Sequence, residues 1–448
     1  MKQYDALVIG GGILGCMVAR NLRRWQISTL LLEKEDDVCK GITRANSAIV
    51  YPGYDNKPGS LKAELTVRGN TQMEALCQEL EVPFCRCGSL LVTYEEAALP
   101  KLQNKLKNAT ENGVPGVRLL TGAEAEEMEP QLAKGVAAAL YAPSTGTVNP
   151  WQLGIAAYEN ALQNGAHAQM NREVLDIRKD AKGFTVETGE ETFSCKMIFN
   201  CAGASSDKMQ ELAFAPSVRL MLDSAEYLVF DPNEKKPERV IFVQGQRCGK
   251  GITAIPCVEG NLLISGVRKP MDIPFATTQA GLQDLHSATK ALLPETDLSM
   301  VIRSFGAVRP NPYTESGESL HDFCIENPAP GFYSLIGIKT PGLTCANELG
   351  LYLARQGAAY LNAEENPDFD PHRPAITKQD TPDYREVVCQ CGNISRGEIL
   401  EAIRRGAVTV DGVKRRVGTG MGRCQGDRCN WRIAMILKET GANPAPVF

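Results

Sequence analysis

Residues 4–33 read YDALVIGGGILGCMVARNLRRWQISTLLLE. The first six form a β-prone run that is apolar except for Asp5, a glycine triplet follows, and Val18, Ala19 and Leu22 then recur at helical spacing. STLLLE at 28–33 is a second short apolar run of the length of a buried strand. Strand, glycine turn, helix and strand in that order open a dinucleotide-binding unit. Gly10, Gly12 and Gly15 fit the pattern G-x-G-x-x-G. The first glycine makes the tight turn, the second admits a pyrophosphate, and the third lets helix and strand pack closely. Ile13 and Leu14 begin the helix, whose free N–H groups and positive dipole end suit phosphate. Glu33 ends the second strand, where a carboxylate can meet a ribose hydroxyl. The unit alone does not separate FAD from NAD, since both use it.

The rest of the chain bounds the reading. A length of 448 residues predicts two or three domains, and 43% hydrophobic with 23% charged residues is ordinary for a globular protein. A net charge of -5 argues against nucleic acid, and the basic cluster Lys414-Arg415-Arg416 is too short for a binding face. No run approaches the ~20 apolar residues of a membrane span. One lysine precedes the N-terminal apolar run, and Ile13-Leu14-Gly15-Cys16 has the look of a lipoprotein cleavage site. The glycine triplet breaks that run, so strand, turn and helix is the better reading than a signal peptide. The expected setting is the cytoplasm, with any membrane reached through a partner. Its reducing conditions disfavour a disulfide framework for the fifteen cysteines. Four of them, Cys389, Cys391, Cys424 and Cys429, group near the end, which suggests metal.

Between these ends the pattern predicts exposed amphipathic helices over 62–80 and 96–112 and a strand at 88–93. Further strands are expected at 184–188, 193–200, 226–230, 240–244, 261–267 and 332–338, and a helix from 345 to 361. The β-rich middle supplies a substrate-binding sheet. Residues 364–384 are rich in Pro and Asp, lack periodicity and read as a linker.

Several separated motifs carry a family likeness. RANSAIV at 44–50, PGSLKA at 58–63, NCAG at 200–203, FGAVRP at 305–310 and GIKTPGLT at 337–344 stand in order along the chain. Together they resemble the FAD-dependent D-amino-acid oxidase superfamily, on the branch of anaerobic glycerol-3-phosphate and L-2-hydroxyglutarate dehydrogenases. The resemblance implies a resident FAD rather than a shuttling NAD. By it Glu33 and Lys34 contact the adenosine ribose, and Thr43, Arg44, Ala45, Asn46 and Ser47 follow the pyrophosphate and ring. Val174 meets the adenine through its backbone, Gly203 and Gly337 join the cofactor set, and Gly342, Leu343 and Thr344 face the isoalloxazine. A helix N-terminus beside the flavin N1–C2=O edge stabilises the negative charge that reduction places there.

At the substrate end the resemblance makes Arg309 the anion anchor, its guanidinium fork suited to a carboxylate or phosphate. Two positions depart from the family pattern. Tyr51 stands where relatives typically have histidine, and Lys339 where they commonly have an acid. The four histidines, at 167, 286, 321 and 372, fall in no matched motif. Oxidising an alcohol leaves a hydroxyl proton to remove, whereas an amine needs only its neutral lone pair. Lys339, desolvated, is a candidate base; charged, it is a second anion ligand. Arg309, Lys339 and Tyr51 are therefore the candidate catalytic residues. The implied substrate is a small anion, glycerol 3-phosphate or a 2-hydroxy acid. An amino or imino acid such as proline, hydroxyproline or sarcosine is the alternative, and a catalytically decayed electron-transfer subunit a further one.

Cys389-x-Cys391 and Cys424-x₄-Cys429 are two ligand pairs whose spacing leaves zinc and [2Fe–2S] both open. CQCGNISRGEILEAI and DGVKRRVGTGMGRCQGDRC resemble the bacterioferritin-associated-ferredoxin type of [2Fe–2S] domain. That likeness implies a cluster on the four cysteines, with Gly418, Gly420 and Gly422 letting backbone approach sulfide. Lys414, Arg415 and Arg416 are expected to add positive charge around the cluster, or else to form a solvated or docking face. A one-electron centre after a two-electron flavin implies an electron-accepting protein subunit in a hetero-oligomer. The expected architecture is α/β with α+β character: a Rossmann-like FAD-binding domain, a β-rich substrate domain and a small C-terminal Fe–S domain. Residues 1–363 form the discontinuous flavoprotein, its substrate part mainly 51–140 and 215–310. Residues 364–384 follow as linker, and 385–448 as the [2Fe–2S]-binding domain.

Overall fold

The computed structural model describes residues 2–245, 247–248, 251–266, 269–270 and 274–442. Val267, which ends an expected strand, and 443–448, which end the expected C-terminal domain, lie outside the described residues.

The strand Lys2–Ile9 lies in the middle of the first sheet. It pairs in parallel with Thr29–Leu32 on one side and Thr192–Asn200 on the other. Its residues Ala6 to Ile9 are at most 4% exposed, the two-sided burial that parallel strands with helices on their faces require. Beyond Thr192–Asn200 the strand Phe332–Ile336 pairs in parallel. The helices Ile13–Leu22 and Gly342–Leu361 pack on this sheet, and Val18, Ala19 and Leu22 meet Leu349, Leu353 and Ala354 in one core. The two helices nearly touch at Gly350, where an added Cβ would stand 2.8 Å from the Met17 backbone.

Among the described residues the second sheet has nine strands, drawn largely from the β-rich middle. Its spine is one long antiparallel pair, Val218–Phe230 against Val301–Thr314, in register from Val218 opposite Thr314 to Val229 opposite Arg303, after which a bulge sets Phe230 opposite Val301. The helix Gln279–Leu292 covers it, burying Leu285 and Leu292 against Leu228 and Ile264. The helix Leu61–Glu79, expected to be exposed, has one face buried through Leu65, Met73 and Leu76. Its Gly69 lies so close to the Gly342–Leu361 helix that a Cβ would stand 2.2 Å from the Thr344 carbonyl oxygen.

After Leu361 the chain does not run free. The Gln26 N–H donates to the Glu364 carbonyl at 2.9 Å, and the Asn366 N–H to the Arg24 carbonyl at 2.8 Å. The Arg24 guanidinium stacks 4.6 Å from the centre of the Phe369 ring, and the Arg373 N–H donates to the Glu79 carbonyl at 2.9 Å. The segment is a strap laid across the flavoprotein surface. Its Pro and Asp content and lack of periodicity said nothing about these tertiary partners, nor about the short helix Pro382–Arg385 that begins at its end.

The C-terminal module gathers the helices Arg396–Arg404, Val410–Val417 and Asn430–Glu439 around Val388, Ile399, Val413, Ile433 and Leu437. Ser395 and Glu398 form a capping box at the first helix. Among the described residues no helix is long and apolar enough to cross a membrane.

Candidate active site

A cavity of about 940 Å³ runs from the glycine turn to the long strand Val301–Thr314. Gly10, Gly12, Ile13, Leu14, Glu33 and Lys34 line one end, followed by Thr43, Arg44, Ala45, Asn46 and Ser47. Val174 and Gly203 line a flank, and Tyr51, Arg309, Lys339, Gly342 and Leu343 surround the other end. Three expected cofactor residues sit behind this wall. A Cβ on Gly15 would stand 1.8 Å from the Gly10 carbonyl oxygen, so Gly15 serves close packing. Gly337, at φ +62°, packs against Leu220 and Pro312. Thr344 is fully buried, and its Oγ1 accepts the Tyr51 N–H at 2.9 Å.

The glycine end has the chemistry of a pyrophosphate cradle. Gly10 takes φ +101°, and a Cβ there would crowd the Cys201 carbonyl oxygen at 2.7 Å. A Cβ on Gly12 would meet only Thr43 Oγ1, at 3.5 Å, so that face is open to the cavity. The helix beginning at Ile13 has no side-chain cap and no acid in its first turn. Thr43 Oγ1 accepts the Ile13 N–H at 2.9 Å, and the neighbouring first-turn donors suit an anion. Glu33 accepts the Gly11 N–H at 2.5 Å and the Glu35 N–H at 2.9 Å, which fixes its carboxylate at the cavity. Asn46 braces the next loop, donating to the Thr43 carbonyl and accepting the Ala48 N–H, each at 2.8 Å. A flexible diphosphate with a ribose at one end fits this wall.

The other end is cationic. Arg309 Nη1 donates to Thr340 Oγ1 at 2.9 Å and its Nε to Asn311 Oδ1 at 3.2 Å. Asn311 in turn donates to Asp223 Oδ2 at 2.8 Å, so the guanidinium plane is held from behind. Lys339 Nζ donates to the Leu320 carbonyl at 3.1 Å. The Tyr51 carbonyl accepts from Asn70 Nδ2 at 3.1 Å, and its ring centre lies 5.9 Å from that of Phe242. Lys62, outside the cavity lining, feels this charge: burial, and then the nearby Arg309 guanidinium, push its amine below the ordinary lysine value. The Asp322 carboxylate seats it by accepting the Leu61 and Lys62 N–H groups at 3.1 and 2.9 Å. Sequence reasoning missed Lys62, Thr340, Asn311 and Asp223 as site residues. Lys62 stood inside a matched motif, PGSLKA, but only long-range packing brings it to Arg309.

In the C-terminal module the four thiols form two pairs. Cys391 and Cys424 sulfurs are 3.5 Å apart, with Cys391 exposed. Cys389 and Cys429 are each 1% exposed; burial, and then Cys389 beside it, push the Cys429 thiol up to about 12. Burial also works to raise Cys424, yet the backbone N–H groups of Gly426 and Arg428 and the Cys391 thiol bring it below the usual thiol value. Gly422 lies so close to Cys391 that a Cβ would meet the Cys391 Cβ at 2.5 Å. Among the described residues no three His, Cys, Asp or Glu side chains converge as a single-ion site. Four soft donors in two pairs, with backbone N–H groups turned to sulfur, fit a two-iron cluster.

The basic triplet does not surround that cluster. Arg415 and Arg416 point to the flavoprotein, where both bond Asp37 Oδ2 at 2.7 Å. Lys414 alone stays electrostatically near Cys429, and burial together with the Arg303 guanidinium lowers its amine to about 8. The cause is helical geometry. Val413 takes the module's core, which turns the next residues outward to the neighbouring domain.

Residues 5–356 match the family model described as FAD dependent oxidoreductase, and residues 387–439 that of the BFD-like [2Fe-2S] binding domain. The chain is 35% identical over 455 residues to a glycerol 3-phosphate dehydrogenase of Caloramator mitchellensis, covering 97% of this chain and 94% of that protein. It is 31% identical to the mitochondrial L-2-hydroxyglutarate dehydrogenase of Homo sapiens over 54% of each. In fold it is similar to the dithionite-reduced, FAD-bound L-alpha-glycerophosphate oxidase from Mycoplasma pneumoniae. There the TM-score is 0.76 at 24% identity, over 83% of this chain and 99% of that one. A cradle built for a diphosphate, a cationic pocket beyond it and paired thiols in a separate module thus have one explanation. The chain belongs to the FAD-dependent oxidoreductase family, oxidises a small metabolite with FAD, and carries a [2Fe–2S] cluster in its C-terminal module.

Proposed function

We propose that the chain is a glycerol-3-phosphate dehydrogenase that exports electrons through its [2Fe–2S] module to a partner protein. The observation that carries this reading is that Arg309 and Lys339 line one end of the cavity, with Lys62 near enough to Arg309 to feel its charge. A phosphate dianion suits several cations better than a single carboxylate does. The full-length similarity to a glycerol 3-phosphate dehydrogenase, module included, supports it. FAD, when bound, accepts hydride from the carbon that bears the hydroxyl. Arg309 holds the phosphate with its fork, kept flat by Asn311 and Thr340, and Lys62 and Lys339 share its charge. Tyr51 orients the C2 hydroxyl through its phenol, which both donates and accepts, while the proton leaves to water. Loss of that proton and of the hydride leaves the ketone.

Domain limits at 363 and 384, and the roles given to individual residues, are part of this proposal. So is a protein partner that takes electrons singly. We place the chain in the cytoplasm, where fifteen unbridged cysteines stay reduced.

One feature favours a second reading. Tyr51 leaves no histidine base at its position, and an amino or imino acid would not need one. Anaerobic mixing of the purified protein with glycerol 3-phosphate, 2-hydroxyglutarate, proline, hydroxyproline and sarcosine separates the readings. Flavin bleaching is expected with glycerol 3-phosphate. Bleaching by an amine alone, or by none, overturns the assignment.

A further inference from the structure

The loop from Asp37 to Cys39 touches two things at once. On one side it closes the glycine turn: the Cys39 N–H donates to the Gly11 carbonyl at 2.8 Å. Val38 packs so tightly there that a Cβ on Gly11 would stand 2.9 Å from its Cγ1. The chain then continues directly into Lys40 to Ser47, which line the cavity. On the other side the loop receives the C-terminal module. Arg416 grips Asp37 with both terminal nitrogens, at 2.7 and 3.0 Å, and Arg415 adds a bond at 2.7 Å and another to the Val38 carbonyl. The three side chains are 3%, 4% and 0% exposed for Asp37, Arg415 and Arg416. Burial alone would raise the Asp37 carboxyl, but the two guanidiniums hold it below the ordinary carboxylate value. A second buried anion, Glu159, pairs with Arg373 of the strap at 2.6 Å and Arg405 of the module at 3.1 Å.

We propose that the Asp37–Cys39 loop is a shared seat through which docking of the [2Fe–2S] module and retention of FAD are thermodynamically coupled. Neither arginine lines the cavity, and Asp37 does not either. Their influence on FAD runs through one short loop that has the module on its outer face and the pyrophosphate cradle on its inner face. Ordering of that loop by either neighbour lowers the entropy the other must remove. Linkage makes the effect reciprocal: FAD tightens docking by the same factor by which docking tightens FAD. A surface ion pair would couple little, but a buried carboxylate that loses one of its two guanidiniums is left under-compensated and lets the loop move.

The test uses the full-length chain in two arms. In the first, FAD affinity of the Arg416→Met variant is measured by flavin-fluorescence titration, and it is expected to fall about tenfold, within the usual range for coupled sites. In the second, hydrogen exchange of the helix Val410–Val417 is compared in wild-type protein with FAD bound and with FAD stripped. Exchange is expected to quicken about tenfold on stripping. Unchanged FAD affinity in a folded Arg416→Met protein whose module helix exchanges faster overturns the proposal. Equal protection of that helix in the two wild-type states overturns it as well. The wild-type arm decides alone where the variant does not fold.

Discussion

Arg309 and Thr340 are joined by a hydrogen bond of 2.9 Å from Nη1 to Oγ1, and that bond links the two halves of the active cavity. Arg309 belongs to the long strand of the second sheet, while Thr340 precedes the helix Gly342–Leu361 that packs on the first. The proposed anion anchor is thereby fixed against the N-terminus of that helix, which lines the same cavity.

Replacing Arg309 with Met is expected to raise KM for glycerol 3-phosphate about 30-fold or more, since truncating a buried charge partner costs about 2–5 kcal/mol. FAD should remain bound, because Arg309 lies at the far end from the glycine turn. Steady-state kinetics and the flavin spectrum of the variant check both halves of this expectation.

Lys62 should give anion binding an alkaline limit. Its amine is lowered, so it loses its proton at a lower pH than an ordinary lysine. As pH rises through that point the phosphate loses a cation, and KM climbs. Lys62→Arg keeps the charge throughout and should flatten the climb; a KM profile identical in both proteins would remove Lys62 from the site.

Tyr51→His puts a base with a pKa near 6.5 beside the substrate, and positioned bases contribute about 10²–10⁴-fold. The ratio of kcat/KM for glycerol 3-phosphate over proline should rise about 100-fold above pH 7, the low end of that range. An unaltered ratio would mean that Tyr51 only packs against Phe242.

Two glycines of one motif should fail differently. Gly15→Ala drives a methyl into the Gly10 carbonyl and is expected to cost about 1–3 kcal/mol of stability, visible in denaturant melts. Gly12→Ala points its methyl into open cavity, so the fold should survive while FAD affinity drops. Thermal melting and flavin titration of both variants separate the two effects.

Much of this was legible because it is local. The opening strand, the glycine turn, the helix and Glu33 are set by short spacings, and the structure places strands at Lys2–Ile9 and Thr29–Leu32 around them. Strand 240–244 also stands where alternation put it. The parts that stayed hidden are long-range. Nothing in residues 226–230 announces a strand of thirteen residues, because its length comes from pairing with Val301–Thr314 some eighty positions later. Lys62 reaches Arg309 only through the seating of a whole helix. Arg415 and Arg416 look like a solvated face until Asp37 arrives from the other end of the chain. Composition reports that a segment such as 364–376 lacks periodicity, and it cannot report which carbonyls will accept its N–H groups.

The long strand also reaches the C-terminal module. Arg303 Nη1 donates to Gln425 Oε1 at 3.4 Å, next to Cys424, and Arg309 stands six residues further along the same ribbon. An even interval puts both guanidiniums on one face, about 20 Å apart. On the proposed function, the strand acts as a ruler between the Arg309 grip on substrate and the module from which electrons would depart. Loops around it can lengthen or shrink at little cost, but one residue inserted between 303 and 309 would turn one of the two arginines to the opposite side. Spacing between inlet and outlet in this molecule is thus written in the pleat of a single strand, and it can change only in steps of two residues.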